Sequence, residues 1–145
     1  MADRAAIDEG IEQWIEGGQV VWYPPAPPYH KVAINSRYGG FGVSIAVLEW
    51  MAQRGHLVAL ETIEEFRAEY PDWRSSFNDW DCYGVDRHDP YLIAAIEALG
   101  DRASDGFSLI RIVPIKGTKY IIREYDGMES VVEPEDIQWV SSESP

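Results

Sequence analysis

The chain has 145 residues, 46% of them hydrophobic and 12% aromatic, which suits one self-sufficient core and is too apolar for intrinsic disorder. Its 25 acids against 12 lysines and arginines give a net charge of −13, a field that repels nucleic acid and favours encounter with a basic protein surface. No apolar run approaches the roughly 18 residues of a membrane span, and the single cysteine, Cys82, fits a reducing cytoplasm.

The acids recur along the chain: five within residues 1–18, nine within 61–89 and six within 126–145. Met1 to Gly10 carries Asp3, Asp8 and Glu9 and does not read as a secretory signal. A cytoplasmic location is expected, in the host cell if the protein is viral. The expected organisation is an α+β single domain. Residues 1–30 form an extension of helix, strand and proline-rich connector, and 31–145 form the main domain.

In chain order, Ile7, Ile11, Trp14 and Ile15 recur at helical spacing and predict a helix over 3–16, stopped by Gly17-Gly18. Gln19 to Tyr23 reads as a short strand. The run Pro24-Pro25-Ala26-Pro27-Pro28 must be extended, because proline cannot donate to a ladder. Lys31 to Asn35 is a buried strand, and a loop from Ser36 to Val43 follows. Ser44 is placed to cap a helix over Ile45 to Arg54, with Gly55 beyond its end. Thr62 and Glu65 have capping-box spacing, which predicts a helix start near Ile63.

Phe66, Tyr70, Trp73, Phe77, Trp80 and Tyr83 step at helical intervals, so a second helical piece is expected from Pro71 to about Gly84. Its aromatic stripe reads as a packing face, or as a platform for a base or a partner. Asp89-Pro90 is an N-cap followed by proline at the first helical position, opening a helix over Tyr91 to Leu99. Phe107 to Val113, Lys119 to Tyr125 and Met128 to Glu133 have strand composition, and Asp126-Gly127 is a hairpin turn. These strands predict an antiparallel sheet of about three strands in the C-terminal half, packed with the N-terminal-half strand and four to five helices.

Three features could carry chemistry. Arg37-Tyr38-Gly39-Gly40-Phe41-Gly42 is a glycine-rich loop between strand and helix, where backbone amides and Arg37 could grip phosphate or carboxylate. Its spacing matches neither the P-loop nor the dinucleotide fingerprint, and a plain tight turn would use the same glycines. Arg87 and His88, just before the Asp89 cap, are candidate ligand contacts or acid–base groups. Glu124 precedes the hairpin turn, where turn chemistry alone would account for it.

Asp79, Asp81 and Gly84 mimic part of a calcium loop, but Tyr83 and Pro90 stand where further ligands belong. His30, His56 and His88 with one cysteine give no zinc spacing. Neither a metal nor a cofactor is expected, and no nucleophile–base pairing argues for an enzyme.

Lys31 to Asn35 followed by Tyr38-Gly39-Gly40-Phe41-Gly42-Val43-Ser44, the Arg87-to-Pro90 helix start and the Glu124-to-Gly127 hairpin together resemble a small uncharacterised family of bacteriophages and large DNA viruses. The resemblance spans about residues 31–139. Family members often carry a cysteine where Arg37 stands. The resemblance implies a viral accessory protein that acts on host machinery.

Two principal readings follow. One is a non-enzymatic accessory protein that binds and neutralises a host factor, such as a defence protein, through an acidic surface. The other is a small-molecule binder that captures a nucleotide or other anionic signal with Arg37, the loop amides and Arg87. A small nucleotide-acting enzyme using Glu124 or His88 as base is a third. The expected partner is a host protein or a small anionic ligand, without direct nucleic-acid or membrane contact. A homo-oligomer stays open, since residues 1–30 could pack on the body or swap onto a neighbour.

Overall fold

A computed structural model of the chain describes residues 20–143 apart from 78 and 107. The helix expected over 3–16 lies outside the described residues. The elements run β1 (Lys31–Asn35), α1 (Ile45–Gln53), α2 (Leu57–Glu69), α3 (Trp73–Ser76), α4 (Pro90–Leu99), β2 (Ile110–Pro114), β3 (Ile121–Tyr125) and β4 (Met128–Val132). Short 3₁₀ turns follow α4 and β4. Among the described residues this is an α+β fold of four helices and two antiparallel two-stranded sheets, β1–β2 and β3–β4.

β1 pairs with β2 from Lys31 opposite Pro114 to Asn35 opposite Ile110. The period-2 alternation of a strand then sorts its side chains. Ala33, with Ile110 and Ile112, joins the main core among the helices. Val32 and Ile34 face the other way and join a smaller core with Ile115, Val113, Ile122 and Val131. β1 is buried from Val32 to Asn35 because the helices cover one face and the β3–β4 hairpin the other.

The three C-terminal strands expected to form one sheet are divided, β2 pairing with β1 and β3 with β4, and the outer edge of β1 takes no further strand. The Ala33 N–H donates to the Arg87 carbonyl at 2.8 Å, and the Asn35 N–H donates to the Glu129 carboxylate at 2.8 Å. Those two acceptors stand where a third strand would have to dock, so the edge is satisfied without one.

α1 is the centre of the main core. Every residue from Ala46 to Gln53 is buried, as expected of a helix covered on all sides. It includes Glu49, whose carboxylate meets the Arg74 guanidinium at 3.3 Å. Ser44 holds the N-cap position, but its hydroxyl donates to the Arg102 carbonyl rather than capping α1. At the other end of α1, Gly55 takes φ +91, which favours glycine.

α2 begins at Leu57, not at Ile63. His56 is its N-cap, accepting the Ala59 N–H on Nδ1. Thr62 lies inside the helix, its hydroxyl donating to the Val58 carbonyl. The ring proton of His56 therefore sits on Nε2, where it donates to Asp89 Oδ2 at 3.1 Å. Asp89 in turn caps α4, accepting the Tyr91 and Leu92 N–H groups ahead of Pro90 at the first turn.

Two further expectations give way. Residues 20–23 form no strand. The Val20 N–H donates to the Gln53 carbonyl, and Trp22 packs between Trp50 and Tyr91 at 5.5 and 4.7 Å between ring centroids. Burial of that ring, which carries a large apolar area, sets the path of the segment. The long helical piece after Pro71 shortens to α3. Beyond it Trp80 exchanges backbone hydrogen bonds with Val43, and left-handed backbone at Cys82 and Gly84 breaks helical continuation. Trp73 and Trp80 of the aromatic stripe are buried, whereas Tyr83 is 88% exposed.

Candidate functional site

The three motifs singled out in the sequence meet at one place. Asn35, fully buried at the end of β1, organises it with its amide group. Nδ2 donates to the carbonyls of Arg37, Gly40 and Gly127 at 2.6, 2.7 and 2.9 Å. Oδ1 accepts the Arg37 and Leu109 N–H groups. One side chain thus ties the glycine-rich loop, the hairpin turn and the approach to β2.

The turn plugs into the loop. Gly39 N–H donates to the Asp126 carbonyl at 2.9 Å, and Gly127 N–H donates to the Glu124 carboxylate at 2.6 Å. A Cβ on Gly127 would collide with the Gly40 amide nitrogen. These glycines therefore serve the close approach of two backbones. The Gly39 amide that an anion would need is already engaged.

Arg87 closes the cluster. Its guanidinium makes a two-pronged contact with Glu129, at 2.7 and 2.9 Å, and donates to the Ala33 carbonyl at 3.2 Å. It also lies 3.6 Å over the Phe41 ring. Paired charge-assisted hydrogen bonds and a stacked ring are a strong grip on arginine. Arg87 is therefore engaged inside the fold, and the role of gripping an outside anion does not fit it. Glu129, only 8% exposed, is the residue that sequence reasoning missed. The signal lay in its phase: it shares the inward face of β4 with Val131.

Of the other expected contacts, Arg37 and Tyr38 are exposed on the loop, Tyr38 by 57%, while Gly42 is buried and its carbonyl accepts the Ser108 hydroxyl. His88 belongs elsewhere. Its Nδ1 hydrogen-bonds the Tyr120 hydroxyl at 2.7 Å, its Nε2 lies 3.7 Å from Asp86, and its ring stacks near Tyr29 at 6.1 Å. Burial, then the Asp86 charge, pushes the Tyr120 phenol up, away from an activated phenolate. Beside His88 runs an apolar cleft of about 310 Å³ between the proline-rich segment and α4, walled by Pro25, Pro28, Ile93 and Ala94.

A second opening lies along α2. A groove of about 450 Å³ has Val58, Phe66 and Trp80 in its lining together with the exposed Tyr83. Glu61, Glu65 and Asp81 complete its charged lining, and no lysine or arginine is among the described residues that form it. All three acids are exposed. Asp81 accepts the Tyr83 N–H at 3.0 Å, which fixes the turn that displays the tyrosine.

Elsewhere, Asp79 and Asp105 crowd the Cα of Gly42, where any side chain would strike both. Partial burial, followed by the charge and hydrogen bond of Asp105 and the charge of Asp81, pushes the Asp79 carboxyl up. Burial also pushes the Cys82 thiol up, so it is no ready nucleophile. Among the described residues there is no cluster of three or more histidine, cysteine, aspartate or glutamate side chains able to hold a metal, and no helix long and apolar enough to cross a membrane. No protein-family model, curated protein or solved structure matches the chain.

Proposed function

We propose that this is a non-enzymatic binding protein that engages and neutralises a basic partner protein through its acidic surface. The observation that carries the reading is the uneven use of charge. Arg87 is paired with Glu129, Arg74 with Glu49 and Lys31 with Glu97, and Arg54 lies 3.7 Å over Trp50. Glu61, Glu65, Asp72, Asp81 and Glu135 face solvent. Exposed acids outnumber the exposed bases, which include Arg37, Arg67, Arg102, Arg111, Lys116, Lys119 and Arg123, and a surface with that excess steers an oppositely charged partner and discriminates against others. The sequence resemblance to viral accessory proteins supplies the setting: a host factor, such as a defence protein, met in the host cytoplasm.

The capture of a nucleotide or other anion is the weaker reading, because Arg87 and the Gly39 amide are both engaged within the fold. Native mass spectrometry of the tagged protein recovered from host lysate separates the two. The expected result is a stoichiometric basic protein, released as salt is raised through the range where exposed charges are screened. A retained small molecule of a few hundred daltons without a protein partner would reverse the choice.

A further inference from the structure

The same recognition unit occurs twice inside this molecule. Arg87 lies over Phe41 and is clasped by Glu129; Arg74 lies near the Trp73 ring, 5.6 Å from its centroid, and meets Glu49. In both, a guanidinium meets an aromatic ring and a carboxylate, a pairing that suits arginine better than lysine because it is planar and weakly hydrated. The groove along α2 brings the other two components together, Phe66, Trp80 and Tyr83 with Glu61, Glu65 and Asp81, and has no cation in its described lining. Glu61 and Glu65 are also one helical turn apart, a like-charge spacing that weakens an isolated helix. Their repulsion is relieved when a cation sits between them.

We infer that the groove between α2 and the 80–84 turn is the docking site for an arginine of the partner protein, the guanidinium received by Glu61, Glu65 and Asp81 and the side chain's stem by the aromatic lining. This rests on the reading of the protein as a binder of a basic partner, and it names the place and the residue type. Apolar residues flanking that arginine would cover Val58 and Tyr83, since a lone exposed charge pair contributes little.

The test is a nuclear magnetic resonance titration of the full chain with the blocked tripeptide acetyl-Leu-Arg-Leu-amide, its citrulline counterpart, and polyarginine. Expected are shifts at the Trp80 indole N–H and the Gly84 amide with the arginine peptide. They should be weakened at least about tenfold by Glu61→Gln with Glu65→Gln and by citrulline. The charge-matched control, Glu64→Gln with Glu69→Gln on the same helix, should leave them unchanged. Equal binding of citrulline, equal weakening by both double variants, or shifts confined to another face would overturn the groove assignment while leaving an acidic binding surface in place. Failure of polyarginine itself to bind at physiological salt would remove both readings. Circular dichroism of each variant establishes that the fold is retained.

Discussion

The Arg87 cluster and the α2 groove are made of the same parts used to opposite ends. Each combines aromatic rings with carboxylates. At the first, the chain supplies its own guanidinium, and the result is a half-buried clasp holding β1, the glycine-rich loop, the start of α4 and β4 together. At the second, the acids face solvent without a cation in the described lining. The three motifs are thus built into the fold, whereas the groove, lined by Phe66, Trp80 and Tyr83 of the aromatic stripe, opens to solvent. Charge left unsatisfied on a surface costs little because water solvates it, whereas inside the fold each charge must find its counterpart.

The sharpest way to break this comparison is Arg87→Ala. It leaves the Glu129 carboxylate enclosed without its partner, and the expected loss is about 3–5 kcal/mol in urea or thermal unfolding. Glu129→Ala should cost a similar amount, and the two together less than their sum, because they share one interaction. A loss under about 1 kcal/mol for Arg87→Ala would mean that the clasp does not hold the fold.

The groove should behave in the opposite manner. Glu61→Gln with Glu65→Gln removes two charges from one helix, yet stability should change by no more than about 0.5 kcal/mol, and towards greater stability. Unfolding curves of the double variant beside those of Arg87→Ala check the contrast directly. A large loss would make these acids structural and close the distinction between the two regions.

Two aspartates should show opposite pH behaviour. Asp79 has its carboxyl pushed up, so its charged form disfavours the fold at neutral pH, and stability is gained as pH falls through the raised value. Burial pushes Asp89 up as well. The His56 hydrogen bond, with the Leu92 and Tyr91 amides, outweighs that and holds it below the usual range. Its contribution is present above the ordinary carboxylate pKa and is lost as pH falls through the lowered one. Asp79→Asn should therefore stabilise the protein at pH 7 and lose that advantage in mild acid. Asp89→Ala should destabilise it at pH 7, and the deficit should shrink in acid. Matching pH slopes for the two variants would contradict the assignment.

What was legible in the sequence was local. The β1 boundaries, the Asp89-Pro90 start of α4 and the Asp126-Gly127 turn follow from residues adjacent in the chain, where φ preference and capping act over one to three positions. The three motifs were visible, and their meeting was legible as a possibility, but not what joins them. The clasp depends on Glu129, which is 42 residues from Arg87 and recognisable only as an acid in the inward phase of a strand.

The same limit explains the misplaced elements. Thr62 and Glu65 offered a helix start by spacing, but His56 was already held by Asp89 from another helix, so α2 began a turn and a half earlier. Aromatic periodicity suggested a helix through Trp80, but pairing with Val43 and burial in the core drew that residue out of it.

The sequence by itself determined the α+β class, the strand and helix ends marked by caps and turns, and the acidity of the surface, because propensity, capping and net charge are properties of near neighbours or of composition. Only the tertiary structure decided that the sheet divides in two, that Arg87 faces inward and that α2 lines an open acidic groove. Those outcomes rest on which distant groups satisfy the edge of β1 and which charges find partners, and such pairings form only when the chain is folded.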